Sequence, residues 1–234
     1  MIASALRVEI ERYAARMRRS NPLFSKAEDR TLTAACLTAY LANIRHLVSQ
    51  TPVLLARARA RALALGDTHL ADHYALKFGE EEDHDAWAER DIERMSSGTT
   101  TPANRDISPS IHRLVAYLTE TIDEDPCLYL AYILFAEYLT VILGPEWLRL
   151  LEERCGIPRS SMTVIANHVE LDQEHVEEAL DCIDQLVGQP DKLPRMRRVL
   201  LETITCFERF CVEVTEKRTH DPRLPEASLH VSAA

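Results

Sequence analysis

The sequence predicts an all-α protein, and three observations support that class. Hydrophobic residues make up 46% of the 234 residues and charged residues 27%, a balance that suits amphipathic helices around a shared core. Only six glycines are present, too few for the many tight turns of a strand-rich fold. Apolar positions recur at helical spacing, and no segment has a convincing strand pattern. We therefore expect a single helical domain over residues 1–217 with about seven or more helices, followed by a polar tail, 218–234, that is expected to be disordered.

Capping signals and prolines divide the first part of the chain. An amphipathic helix is predicted over residues 5–20 and ends at Asn21-Pro22, because proline disfavours helical geometry in the residue before it. Ser25 followed by Glu28 matches a capping box, in which each side chain bonds the backbone of the other residue. This pair predicts the start of a strongly apolar helix that runs through Leu47.

Two further helices are predicted before the middle of the chain. Thr51-Pro52 begins a helix rich in Ala, Leu and Arg, which ends at Gly66. Asp67 is an N-cap for a long helix that reaches Asp91 and carries several acidic residues and histidines. A polar stretch, 96–108, then links the two halves of the bundle.

The second half of the chain contains its most apolar segment. Ser108-Pro109 places an N-cap before a proline at the first helical position, and so opens a helix. Residues 128–143 follow as a helix in which Glu137 is the only ionisable side chain apart from tyrosines. Gly144-Pro145 is predicted to break this helix. The last two helices of the domain are predicted to begin at Ser160 or Ser161 and at Leu193.

Charge, cysteine usage and the N-terminal sequence indicate the expected partners, thiol state and location of the protein. The formal net charge of -10 argues against nucleic acid and anionic membranes, since neither attracts a net anion. The six cysteines are scattered singly without any C-x-x-C pair, so we expect reduced thiols rather than a disulfide framework. The N-terminus has no charged region followed by an apolar run, and the cytoplasm is the expected location.

Two segments carry residues with metal-ligand spacing. Residues three or four apart on a helix share a face, so Glu81 points with His84, and Asp172 points with His168 and His175. The last two histidines are seven residues apart, about 10 Å along a helix that rises about 1.5 Å per residue. That separation is too long to chelate one ion, and it therefore suits two ions.

Glu137 adds a third helix to this set. A carboxylate inside an apolar helix is desolvated at a cost, is paired with an arginine, or binds a metal. Taken together, three histidines and three carboxylates without a thiolate favour iron or manganese over structural zinc. The alternative for Glu81 and His84 is a solvated face, since they lie in a charge run, and Glu80 is a geometric rival to Glu81.

The order of these residues distinguishes two kinds of di-iron protein. Ferritin-like proteins need a carboxylate on the helix before the first Glu-x2-His motif, but residues 32–48 contain no Asp or Glu. The observed order is Glu-x2-His, then Glu137, then His-x3-Asp-x2-His. This order, over about residues 30–185, resembles the haem-oxygenase-like di-iron oxidase and oxygenase superfamily, whose seven-helix fold is related to the TenA and PqqC proteins.

The resemblance implies a ligand set and its division between two ions. Three ligands are expected around one ion, two around the other, and Glu137 is shared or belongs to the second. Lys77 is a candidate contact for a substrate carboxylate, the alternative being an ion pair with Glu80 or Glu81; it stands where some members of the superfamily have a glutamate. The implied ligands of the first ion are Glu81, His84 and His168, and those of the second are Asp172 and His175.

The resemblance also implies an activity. Two Fe(II) ions, with manganese as the alternative, bind O2 to give a peroxo intermediate that oxidises an amino acid or another small carboxylic acid. The expected outcomes are C–C or C–N cleavage, N-oxygenation or nitrile formation in specialised metabolism, by a protein that forms a homodimer. Two alternatives stay open: a metal-independent enzyme like TenA or PqqC, and a non-enzymatic iron-binding protein or helical scaffold.

Overall fold

The computed structural model describes residues 2–96, 105–187, 189 and 191–216. Within these ranges the chain forms nine α-helices and no β-strand, so the predicted all-α class is confirmed. Two single 3₁₀ turns precede α7 and α8, and a π-helical turn follows α8. The helices are α1 (Ile2–Ser20), α2 (Pro22–Glu28), α3 (Ala34–Ala64), α4 (Thr68–Glu80), α5 (Asp85–Ser96), α6 (Pro109–Glu124), α7 (Leu130–Cys155), α8 (Thr163–Cys182) and α9 (Lys192–Glu216).

All nine helices contribute to one hydrophobic core, and α7 contributes the most buried residues to it. The stretch Pro126–Cys155 is long and apolar enough to cross a membrane. An 18-residue window of it has a mean hydropathy of 1.8, but 72% of that window is buried inside the protein. α7 packs against α8 along its length and also contacts α1, α2 and α9. It is therefore the core helix of the bundle, and Glu137 is placed among its buried residues.

The predicted capping box at Ser25 is wrong. Asn21 caps α2 instead, because its side chain accepts a hydrogen bond from the Leu23 backbone N–H at 2.9 Å, directly before a proline at the first helical position. Ser25 consequently lies inside α2. The apolar helix α3 begins later, where the Thr33 hydroxyl accepts a hydrogen bond from the backbone N–H of Cys36 at 3.2 Å.

Both predicted proline breaks are also wrong. Pro52 lies inside α3 and Pro145 lies inside α7. Each proline leaves the carbonyl four residues before it, that of Val48 or Val141, without its helical N–H partner. Packing of both helices into the core maintains them across the weakened turn.

The long helix predicted from Asp67 to Asp91 is interrupted. Asp67 caps it as expected, but α4 ends at Glu80, and the chain turns through Asp83, whose φ of 64° lies in the left-handed region, before α5 begins. Four consecutive acidic side chains repel one another on a helix, and aspartate tolerates this backbone conformation better than most residues. The turn over residues 81–84 directs the side chain of Glu81 inward.

The start of α8 is two or three residues later than predicted and is capped from another helix. Ser160 and Ser161 form a 3₁₀ turn, and α8 begins at Thr163. Asp91 of α5 accepts hydrogen bonds from the Thr163 hydroxyl at 2.7 Å and the Val164 backbone N–H at 2.8 Å. The start of α9 agrees with the prediction to one residue, and no disulfide joins the six cysteines. The predicted tail, 218–234, lies outside the described residues.

Candidate metal centre

The six predicted ligand residues converge where the α4–α5 turn, α7 and α8 meet. Four of them are buried, and the two histidines of α8 are partly buried, with 15% and 12% of their side chains exposed. Donor atoms of five of them, all except Asp172, form two overlapping groups. In each group, the three atoms that a metal ion would use lie within 4.8 Å of one another.

The first group consists of Glu81, His84 and His168. The Glu81 carboxylate lies 3.3 Å from His84 Nδ1 and 4.0 Å from His168 Nε2. The two imidazole rings meet edge to face with centroids 5.1 Å apart. Sequence reasoning expected Glu81 and His84 to share a helix face, whereas the structure brings them together through the turn between α4 and α5.

The orientation of His168 is set by its own helix. Its Nδ1 lies 2.6 Å from the Val164 carbonyl oxygen, so Nδ1–H donates to that carbonyl and Nε2 is free to act as a ligand. Trp87 stacks on His84 at 4.0 Å between ring centroids and meets His168 edge to face at 5.5 Å. The tryptophan therefore packs against both histidines of the first group.

The second group consists of Glu81, Glu137 and His175. Glu81 is thus the carboxylate common to both groups. From the sequence, Glu137 was expected to be the ligand shared by the two ions or to belong to the second. Asp172 adjoins this group, with Oδ1 3.5 Å from Nδ1 of His175. Glu80, the predicted rival of Glu81, contacts His175 at 3.5 Å and takes no part in the first group.

Lys77 lies against the second group with its side chain only 2% exposed. Its Nζ is 3.1 Å from Glu80, 3.3 Å from Glu137 and 3.7 Å from Glu178. The expected alternative of an ion pair with Glu80 is therefore present. Glu178 was missed by sequence reasoning, although it follows His175 by three residues and so shares its helix face.

Burial and neighbouring charges perturb the titration of the site. Burial raises the pKa of Glu137 to about 7, although Lys77 acts in the opposite direction. Burial alone would lower the pKa of Lys77, but Glu137 and Glu80 outweigh it, so the pKa is raised and the side chain is an ammonium ion. Burial likewise opposes ionisation of Glu81, yet the histidines beside it hold its pKa well below the usual range. Against the effect of burial, hydrogen bonding to Glu81 contributes to raising the pKa of His168 to about 8.

Several polar atoms of the site have unused hydrogen-bonding capacity. Buried side-chain atoms normally find a partner, so such atoms at one place indicate a ligand. Carboxylate oxygens and imidazole nitrogens are the donor set that iron and manganese accept, and the residues present therefore fit a metal ion. Among the described residues, the buried atoms without a hydrogen bond of good geometry include His84 Nδ1, Glu137 Oε2, Asp172 Oδ1 and His175 Nδ1.

A cavity of about 160 Å³ adjoins both groups. Lys77, Glu81, Glu137, His168 and Asp172 form its polar part. The rest of its wall is mostly aliphatic and aromatic and comes from α3, α6, α7, α8 and α9. An apolar pocket that ends at convergent polar groups is the usual form of a small-molecule site.

Comparison with solved structures identifies the fold of the chain. The chain matches no family model and no curated protein sequence. It is similar to a domain of unknown function with a haem oxygenase-like fold from Shewanella denitrificans OS217, with a TM-score of 0.80, 17% identity and 91% of each chain covered. A TenA homolog from Pseudomonas syringae pv. tomato DC3000 is similar at a TM-score of 0.70 and 17% identity, over 92% of this chain and 93% of the homolog.

A third similar structure is a CADD-like protein of unknown function from Nostoc punctiforme PCC 73102. Its TM-score is 0.69 at 15% identity, and the match covers 91% of this chain and 96% of that one. These likenesses confirm the predicted haem-oxygenase-like fold. At such low identity they establish the fold alone, and the activity has to be argued from the site.

Proposed function

We propose that this haem-oxygenase-like protein is a non-haem di-iron oxidase or oxygenase that acts on a small carboxylic acid. One observation carries the proposal: three histidines and three carboxylates converge in a buried site beside an apolar cavity. An iron store or helical scaffold has no need for a cavity at the ligands. A metal-independent enzyme has no need for imidazoles and carboxylates that face one another within about 4 Å in a buried site.

The proposed division of ligands follows the two groups. Glu81, His84 and His168 would hold one ion. Glu137 and His175, with Asp172 beside them, would hold the other, and Glu81 contacts both. Iron bound in this way would supply the electrons that reduce O2, while the protein supplies ligation, substrate placement and exclusion of water.

The cavity narrows the substrate class. Its mostly apolar wall favours a substrate with an apolar body. Lys77 is the only lysine or arginine among the cavity-lining residues of the described chain, and it lies at the same end as the ligands. A substrate carboxylate directed to Lys77 would bring the neighbouring carbon atoms close to the metal site. An acid with an apolar chain fits the mostly apolar wall of the cavity.

The proposal is tested by measuring O2 consumption by the iron-loaded protein in the presence of a defined set of acids. Apo-protein is loaded anaerobically with Fe(II), mixed with oxygenated buffer, and given straight-chain carboxylic acids of increasing length, the matching primary amides, or amino acids. We expect O2 uptake to require iron and to be accelerated by acids but not by amides. Products are identified by mass spectrometry.

A matched pair of variants ties this activity to the site. Asp172→Ala removes a buried side chain of the site, and Asp181→Ala makes the same change at an exposed position of α8. Activity and iron binding are expected to fall only in the first. Iron binding that is equal in both variants, or oxidation that proceeds without iron, would contradict the proposal and favour a metal-independent enzyme of the same fold.

A further inference from the structure

We propose that the Lys77 ammonium group is a built-in cation that occupies the second group in place of a metal ion. The chain then binds one divalent ion tightly at the first group, and a second ion only in competition with Lys77. This inference rests on the proposed metal centre and concerns the order and strength with which its two halves fill.

Lys77 is buried and is held in place by carboxylates. A lysine that is only 2% exposed is rare unless it is paired, and Lys77 has three carboxylate partners from α4, α7 and α8. The nearest two, Glu80 and Glu137, lie within 3.3 Å of its Nζ. The lysine therefore has a fixed place inside the site, and it differs from a surface side chain that moves freely in solvent.

Glu137 cannot pair with the Lys77 ammonium and with a metal ion at the same time. This carboxylate belongs to the second group and faces the Lys77 ammonium at 3.3 Å. A divalent ion bound to the same carboxylate would lie close to a positive charge in a buried, poorly screened environment, where like charges repel strongly. A second ion can therefore bind only when Lys77 leaves Glu137.

Within the described residues, the first group has no lysine in contact with its carboxylate. The ion-pair partners of Glu81 in the described structure are the imidazoles of His84 and His168, and a neutral imidazole is itself a metal ligand. A metal ion can therefore bind at the first group without displacing a lysine. The charged and titratable groups facing Lys77 are Glu80 and His73 of α4, Glu137 of α7, and His175, Glu178 and Cys182 of α8.

Metal titration of variants tests the inference. The wild type, Lys77→Met and Lys77→Arg are titrated with Co(II), which needs no protection from air, by calorimetry, and the bound metal is counted by mass spectrometry after gel filtration. We expect one tightly bound ion in the wild type and in Lys77→Arg. Two are expected in Lys77→Met, with the second affinity raised by about tenfold or more, a size of change that residues around a site produce.

Two further variants serve as controls. Lys192→Met removes a lysine from another carboxylate ion pair, with Asp125 at 3.5 Å, and is expected to bind metal like the wild type. Lys77→Met combined with Glu137→Gln removes the lysine together with its partner, so it leaves no unpaired carboxylate at Glu137. This double variant is expected to return to one ion.

The outcomes separate this inference from the proposed function. Two ions of similar affinity in the wild type would overturn the inference and leave the di-iron proposal standing, and that measurement needs no variant to fold. One ion in both the wild type and a folded Lys77→Met would also overturn the inference. No specific ion in any of the proteins would remove the metal centre itself.

Discussion

The two ligand groups use similar side chains but differ in what balances their charge. In the first group, Glu81 is paired with imidazoles, and the pKa of His168 is raised to about 8, so a proton balances the carboxylate. In the second group, a lysine lies against Glu137, whose pKa is raised to about 7 by burial. A proton leaves when a metal binds, whereas a lysine has to move. Ligand type alone therefore does not determine how a site fills.

The two groups also depend on different helix contacts. The first group joins the α4–α5 turn to α8, and Asp91 of α5 ties those segments together by capping the start of α8. The second group shares Glu81 of that turn and adds Glu137 of α7 and His175 of α8. At Gly144 α7 and α8 pack tightly, since an added Cβ would lie 2.3 Å from a methyl carbon of Val169. Variants at these contacts can therefore perturb one group more than the other.

The largest effect is expected from Glu81→Gln, because Glu81 is common to both groups. The amide keeps the shape of the side chain but removes its charge. Tight Co(II) binding measured by calorimetry is expected to weaken by about 100-fold or more, since even residues that only support a ligand change metal affinity by about 10–100-fold. Glu82→Gln, the same change at the exposed neighbouring position, is the control and should bind like the wild type. Equal binding by both variants would show that Glu81 is no ligand.

A direct comparison of the groups comes from His168→Ala and His175→Ala, one histidine from each. The tight ion is expected to be lost in the first variant, with about a 100-fold weaker affinity, and to stay within about threefold of the wild type in the second. Calorimetry with Co(II) measures both. If His175→Ala weakened the tight ion as much as His168→Ala, the two groups would act as one, and the distinction between them would fail.

Much of this site could be predicted from sequence because α8 is a continuous helix. Spacing alone placed His168, Asp172 and His175 on one face, and the isolation of Glu137 in an apolar segment indicated a buried partner. Helical periodicity, composition and the N-caps at Asp67 and Ser108 were likewise sufficient for the fold class. Each of these features depends on residues that are close together in sequence.

The features that could not be predicted depend on contacts between distant segments. Pro52 and Pro145 are strong local signals for a break, but packing into the core overrides them. The pairing of Lys77 with Glu137 and Glu178 joins three helices, and only its pairing with Glu80 was visible from spacing. The cap that Asp91 provides to α8 spans over seventy residues.

Asp91→Ala is expected to destabilise the fold and to affect the first group selectively. Its buried carboxylate satisfies the backbone N–H of Val164 and the hydroxyl of Thr163, which would be left without a partner. We expect the free energy of unfolding, measured by urea denaturation, to fall by about 2 kcal/mol. Tight Co(II) binding should also weaken, because Val164 positions His168.

The matched change for that variant is Asp67→Ala, at the half-buried N-cap of α4. It should lower the free energy of unfolding by only about 1 kcal/mol, the usual value for a helix cap. Its tight Co(II) affinity should equal that of the wild type. A loss of metal affinity that is the same in Asp67→Ala and Asp91→Ala would mean that general stability, rather than the position of α8, controls the first group.

The smallest effect is expected from replacing helical glycines by alanine. The free energy of unfolding should change in opposite directions at two such positions. At Gly144 the new methyl group would press on Val169, a buried and β-branched side chain that cannot easily turn away, so α7 and α8 must separate. Such overpacking costs about 1–3 kcal/mol, of which about 1 kcal/mol is offset by the better helix propensity of alanine. At the exposed Gly79 of α4 nothing lies within 4 Å of the added atom, so Gly79→Ala should gain up to about 1 kcal/mol. Urea denaturation measures both changes, and a shift in the same direction would contradict the close α7–α8 contact at Gly144.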